Sequence, residues 1–183
     1  MKTKSRTLAI HCALWTIACA CATDVACAQE SLIGGYDLEE WTPANQSGNR
    51  TQRIIEFVQN GQAIESWTEL LTIQTLKMPR KPPAVDALVA AAADTVIKRC
   101  PGKVTSNVIA REESASTVKS VLFEWSVKDC PPDADQHEVA RILYGKFNIF
   151  RIAYVAKTSL LEPEKREKWI AKLNEAEIGD IGR

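Results

Sequence analysis

Side chains able to do chemistry are few in this chain. Six cysteines and two histidines occur in 183 residues, and thiolates and imidazoles are the groups that most readily bind metals, attack carbonyls or move protons near neutrality. Cys12, Cys19, Cys21, Cys27 and His11 all fall within the first 28 residues, leaving Cys100, Cys130 and His137 beyond them. A zinc site draws four ligands from clustered Cys and His, and one histidine with two distant cysteines does not supply them. The sequence also lacks Gly-x-Ser-x-Gly, His-Glu-x-x-His, a phosphate loop and a dinucleotide fingerprint. No cofactor and no metal are expected.

His137 beside Glu138 could form half of a catalytic triad. It follows the loop Pro131-Pro132-Asp133-Ala134-Asp135, and no activated nucleophile is identifiable. The plain reading is a surface histidine; the competing one is a hydrolase whose site, involving His137 or Arg151, is assembled only by the fold. The carboxylate pairs Glu39-Glu40 and Glu112-Glu113 are sequence neighbours. Neighbours on a strand point to opposite faces, so they make no acid–base dyad. Lys77, Arg80 and Lys81 lie in a proline-rich loop and read as solvated cations.

Two stretches offer a binding face. In Trp67–Thr75, period two puts Leu71 and Ile73 beneath a sheet and Leu70, Thr72 and Gln74 on its other side. In Asn148–Thr158 both faces are apolar except at Arg151, so the strand reads as central. Arg151 is then either paired with a carboxylate, snorkelling to an edge, or a ligand-binding cation. Thr72, Gln74 and Arg151 form the candidate binding face.

These residues need a scaffold, and the chain's start says where it is built. Lys2, Lys4 and Arg6 precede an uncharged run from Thr7 to Thr23, which ends near Ala26-Cys27-Ala28. A basic region, an apolar run and a small-x-small site read as a secretory signal peptide, residues 1–28, cleaved after Ala28, with one domain over 29–183. The uncharged run includes His11 and is shorter than the roughly 20 apolar residues of a spanning helix. Cleavage leaves 20 basic and 22 acidic groups, a formal charge of −2. That near-neutral surface argues against nucleic acid as a partner. Cys100 and Cys130 then pair most simply as one disulfide, suited to the periplasm or the exterior.

The remaining pattern gives strands at Tyr36–Thr42, Arg50–Gln59 and Glu69–Leu76, then a helix over Ala84–Arg99 whose Val85, Leu88, Val89, Ala92 and Val96 share a face. Strands follow at about Lys103–Glu112, Val118–Lys128, Glu138–Tyr144 and Asn148–Thr158, and a second helix runs from Pro163 toward a stop at Gly179. Ala44–Asn49 reads as a turn. This order predicts an α+β domain: a largely antiparallel sheet of six or seven strands with two main helices packed on it.

The segment Trp67-Thr68-Glu69-Leu70-Leu71-Thr72-Ile73-Gln74, the Ala-rich helix ending in Cys100-Pro101, Trp125 before Cys130, and Trp169 in the closing helix together resemble a family of small exported bacterial proteins whose motifs carry no agreed chemistry. The layout is also similar to the PsbP/Mog1/DcrB-like group. That resemblance implies a non-enzymatic binding or assembly role; with the expected export and the thin catalytic inventory, the reading is a non-catalytic binding or accessory protein of the bacterial envelope, acting on another envelope protein or a small ligand.

Overall fold

The computed structural model describes residues 29–114, 117–132 and 134–181; the expected signal peptide, residues 1–28, lies outside them. In chain order the elements are β1 (Gln29–Ile33), β2 (Trp41–Gly48), β3 (Gln52–Gln59), β4 (Glu69–Lys77), α1 (Val85–Arg99), β5 (Val104–Ser114), β6 (Thr117–Val127), β7 (Gln136–Tyr144), β8 (Asn148–Ala156), α2 (Pro163–Asn174) and β9 (Glu177–Ile181). Seven strands form one antiparallel sheet in the order β2-β3-β4-β8-β7-β6-β5, and β1 pairs with β9 in a separate ribbon. The α+β expectation holds, and β8 is indeed the central strand.

Each helix covers one face of the sheet. On the α1 face, Val121, Phe123, Trp125 and Val127 of β6 join Ala140, Ile149 and Ala153 beneath Val85, Val89 and Ala93. On the other face Leu122, Val139, Leu143, Ile152 and Tyr154 pack under Trp169 and Leu173 of α2. Leu71 and Ile73 join this second core, whereas Leu70 packs with Val58 and Val155 on the α1 side, as the alternation requires. Strand β6 carries buried residues on both faces, since Leu122 packs with Trp169 and Leu173 of α2 and Ser120 is buried on the same side.

Other corrections concern elements without a hydrophobic signature. The expected strand at Tyr36–Thr42 and turn at Ala44–Asn49 are replaced by a strand at Trp41–Gly48, paired to β3 through a bulge at Pro43/Asn45. Beyond Trp41 this edge strand is mostly exposed, so no alternation marks it, and an edge position tolerates Pro43. The second helix ends at Asn174 rather than near Gly179, because Glu177–Ile181 pairs with β1 instead. Neither ribbon strand exceeds five residues, too short for periodicity to show.

Three polar ties hold the layers in register. The guanidinium of Arg141, on β7, donates from Nη1 to the carbonyls of Leu173 (3.1 Å), Asn174 (2.7 Å) and Ala176 (3.0 Å), and from Nη2 to Ser120 Oγ at 3.1 Å. The last carbonyls of a helix have no partner within it and carry its negative dipole end, so a buried cation there satisfies both. Burial pushes the Arg141 pKa down from its ordinary value, opposed by Glu112 and Glu177. Glu30, buried on β1, accepts from the backbone amides of Lys146 (2.5 Å), Phe147 (2.9 Å) and Asn148 (2.9 Å), capturing the turn between β7 and β8. A Cβ at Gly145 would lie 2.6 Å from the Glu30 carboxylate, so that approach requires glycine. Cys100 and Cys130 form a disulfide, Cα atoms 5.8 Å apart, joining the end of α1 to the loop after β6.

Two stability outcomes follow. Replacing both Cys100 and Cys130 by Ala is expected to lower unfolding free energy by about 3–4 kcal/mol in denaturant titrations, since the bridge closes a 30-residue separation. Arg141→Met, which keeps the length but removes every donor, is expected to cost on the order of 3 kcal/mol by taking the buried donor from the Asn174 and Ala176 carbonyls, the Leu173 carbonyl keeping the Ala176 amide. Circular dichroism with denaturant checks both, and an unchanged midpoint for Arg141→Met would refute the capping role.

Candidate functional site

The α2 side concentrates the titratable groups. His137 is buried, not at the surface as the sequence reading held, because α2 and the segment leading into it cover its face of the sheet. The Leu161 amide donates to its Nδ1 at 3.3 Å, which leaves Nε2 as the donor toward Glu124 Oε2 at 3.2 Å. Arg166 of α2 grips the same carboxylate at both oxygens, Nε to Oε2 at 2.7 Å and Nη2 to Oε1 at 2.8 Å. The Arg166 hydrogen bond, with that of His137, outweighs burial and holds the Glu124 pKa down at about 2. Both imidazole nitrogens are therefore used to seat the start of α2. A triad needs a hydroxyl or thiol on the imidazole, and neither nitrogen meets one here.

The opposite face is built differently. Arg151 of β8 lies across from Gln74 of β4 and from Ile142 of β7 in the ladders. Its Nη2 donates to Glu138 Oε1 at 2.5 Å, four residues along β7 from Ile142 and two places along the same face. The residues between are Ala140 and Ala153, whose methyl groups leave the arginine room to span that distance. The pair is largely removed from solvent, side-chain exposure being 15% for Arg151 and 4% for Glu138. Arg151 Nε is buried and has no hydrogen-bond partner.

Helix α1 packs over β5 and β6, so its outer edge does not seal the sheet beyond β7. A cavity of about 200 Å³ remains there. Gln74, Leu76, Ile142, Ile149 and Arg151 line it from the sheet, and Leu88, Ala91 and Ala92 from α1. The fold thus brings two of the three candidate residues, Gln74 and Arg151, to one cavity wall. Thr72 is buried on the same face but does not line the cavity.

Two other concavities lie elsewhere on the domain. A cleft of about 450 Å³ between α2 and the β2–β4 half of the sheet exposes edges of Trp41 and Trp169 between glutamates and lysines, and the Lys165–Glu69 ion pair, at 2.5 Å, bridges two of its lining residues. Trp169 stacks on Tyr154 at 4.2 Å between ring centroids, so its ring already serves the core. A groove of about 210 Å³ holds Arg50, Arg53 and Lys77 near Phe147, while Arg80 and Lys81 of the proline loop are exposed. Among the described residues no cluster of three or more His, Cys, Asp or Glu could hold a metal ion, and no helix is long and apolar enough to cross a membrane.

Sequence reasoning missed Glu30, Glu124, Arg141 and Arg166. Glu124 alternates with Leu122 and Ser126, and that mixed face resembles a wet one. An isolated Arg141 among Val139, Ala140, Ile142 and Leu143 gave the same signal that singled out Arg151: a charge inside an apolar strand.

No protein-family model and no curated relative matches the chain. Among solved structures it is similar to the solution structure of cyanobacterial PsbP (CyanoP) from Synechocystis sp. PCC 6803, with TM-score 0.50 and 12% identity over 85% of this chain and 96% of that one. At that identity the likeness concerns the fold, which is PsbP-like.

Glu124 makes the α2 seat sensitive to acid. Its folded pKa, about 2, lies below the ordinary 4.5, so its contribution is fully present above pH 4.5 and is lost as pH falls toward 2. Glu124→Gln is expected to lower stability at pH 7 by on the order of 2 kcal/mol, after discounting for partial solvent access, and to flatten the loss between pH 4.5 and 2. Urea midpoints measured across that range check it.

Proposed function

We propose that this is an exported, disulfide-stabilised binding or accessory protein of the bacterial envelope that works without catalysis, and that its binding face is the cavity between α1 and the sheet at Gln74 and Arg151, with Thr72 beside it. One observation carries the reading. The groups equipped for proton transfer on the α2 side, His137 and Glu124, are held in structural hydrogen bonds, whereas Arg151, whose side-chain hydrogen bond uses Nη2, lines a cavity with part of its side chain still accessible. Concave, mostly apolar sites with a few placed polar groups are the usual form of small-ligand sites.

The disulfide supports an oxidising compartment, and the basic, then apolar, then Ala-x-Ala start of the sequence supports export. The PsbP-like fold is compatible with an accessory role and assigns no ligand or partner to this chain.

The test is a fragment screen by ¹⁵N-correlation NMR on the oxidised protein, beside a panel of chromogenic ester and peptide substrates. Fragments are expected to shift amides of Gln74, Leu88 and Arg151, with no turnover in the panel. Turnover that disappears in His137→Ala would overturn the non-catalytic reading. Shifts confined to the α2 cleft would move the binding face there.

A further inference from the structure

We infer that the α1-side cavity takes a small, mainly aliphatic molecule headed by an uncharged amide, its carbonyl received by Arg151 and its N–H by Gln74. The inference rests on the binding reading above and goes further by naming the ligand's chemistry.

Size comes first. At about 200 Å³ the cavity is smaller than the roughly 300–1,000 Å³ typical of drug-sized ligands, so it suits a compact molecule. Its walls choose the body: Leu76, Leu88, Ile142 and Ile149 with the two alanines of α1 present only apolar side chains, which favour an aliphatic occupant.

The polar end then chooses the head group. A guanidinium carries five N–H donors and accepts nothing. The side-chain hydrogen bond Arg151 makes uses Nη2, and Nε is enclosed beyond a ligand's reach, so the cavity meets only the small part of the guanidinium that stays accessible. The ligand must therefore offer an acceptor.

Charge separates the acceptors. Glu138, nearly fully buried, already balances Arg151, and the other cavity-lining residues are uncharged. A carboxylate head would add a second negative charge beside the buried Glu138, leaving one charge uncompensated. An uncharged carbonyl satisfies the arginine donor and leaves the pair neutral. Gln74 stands directly across the ladder from Arg151, and its side-chain amide presents a donor and an acceptor. An amide, with both complements, uses it fully; a ketone or ester leaves its acceptor idle.

Hexanamide and hexanoate at pH 7 are matched probes, equal in length and differing in head charge. Titrated into the oxidised protein by calorimetry and ¹⁵N-correlation NMR, hexanamide is expected to bind at least tenfold more tightly than hexanoate, shifting Gln74, Leu88 and Arg151. Gln74→Leu is expected to weaken hexanamide about tenfold. Ala92→Phe, which fills the cavity from the helix without touching the polar pair, is expected to abolish binding. Thermal melts of both variants confirm that they fold, a control that Arg151→Met, which leaves Glu138 unpaired, would not pass as securely. If hexanoate binds as well as hexanamide, the head-group assignment falls while the cavity stands as a binding site. If neither probe shifts cavity resonances and the fragment screen also leaves them unmoved, both readings fall together. If hexanamide binds equally to Ala92→Phe, the location is wrong.

Discussion

The contact on which most of the architecture depends is the guanidinium of Arg141 against the end of α2. One Nη1 group meets the carbonyls of Leu173, Asn174 and Ala176, a geometry available only when the helix stops at Asn174 and the chain turns there. The position of that turn sets where β9 begins, and β9 in turn fixes β1 by pairing from Ile33↔Glu177 to Gln29↔Ile181. β1 delivers Glu30 to the turn between β7 and β8. A single buried cation thus links the central sheet, the closing helix and the terminal ribbon.

The helix is held at its other end by the Arg166–Glu124–His137 chain, so α2 is tied to the sheet by ionic contacts near both termini as well as by Trp169 and Leu173. Buried ions are tolerated when their hydrogen-bonding capacity is met, and on this face it largely is. The α1 face obeys a different rule. Its helix is fastened by the disulfide at one end and by the Arg111–Asp86 ion pair near the other, both toward β5 and β6. The strip over β4 and β8 is left to Gln74 and Arg151. The α2 network is closed on itself apart from the buried Tyr154 hydroxyl, whereas on the α1 face Arg151 lines a cavity, and that cavity marks the candidate site.

Much of this was legible where hydrophobic period and burial agree. α1 begins and ends within a residue of its expected bounds, because its apolar stripe and Pro101-Gly102 stop are local features. β4 and β8 were equally readable, and the alternation placed Thr72 and Gln74 opposite Leu71 and Ile73. β2 was misplaced because an exposed edge strand needs no pattern, its existence resting on pairing with β3. His137 was misjudged because burial by a helix remote in sequence leaves no mark on neighbouring residues.

The sequence by itself determined the α+β class, the two helices, the centrality of β8 and the oddity of Arg151, since each depends on residue type and near-neighbour spacing. Tertiary structure alone decided what each charge does. Arg141 and Arg151 are both arginines set in apolar strand segments, yet one caps a helix and the other faces a cavity. The difference is which side of the sheet each points to and which helix covers it, and that is fixed by pairings between residues as far apart as Gln74 and Arg151.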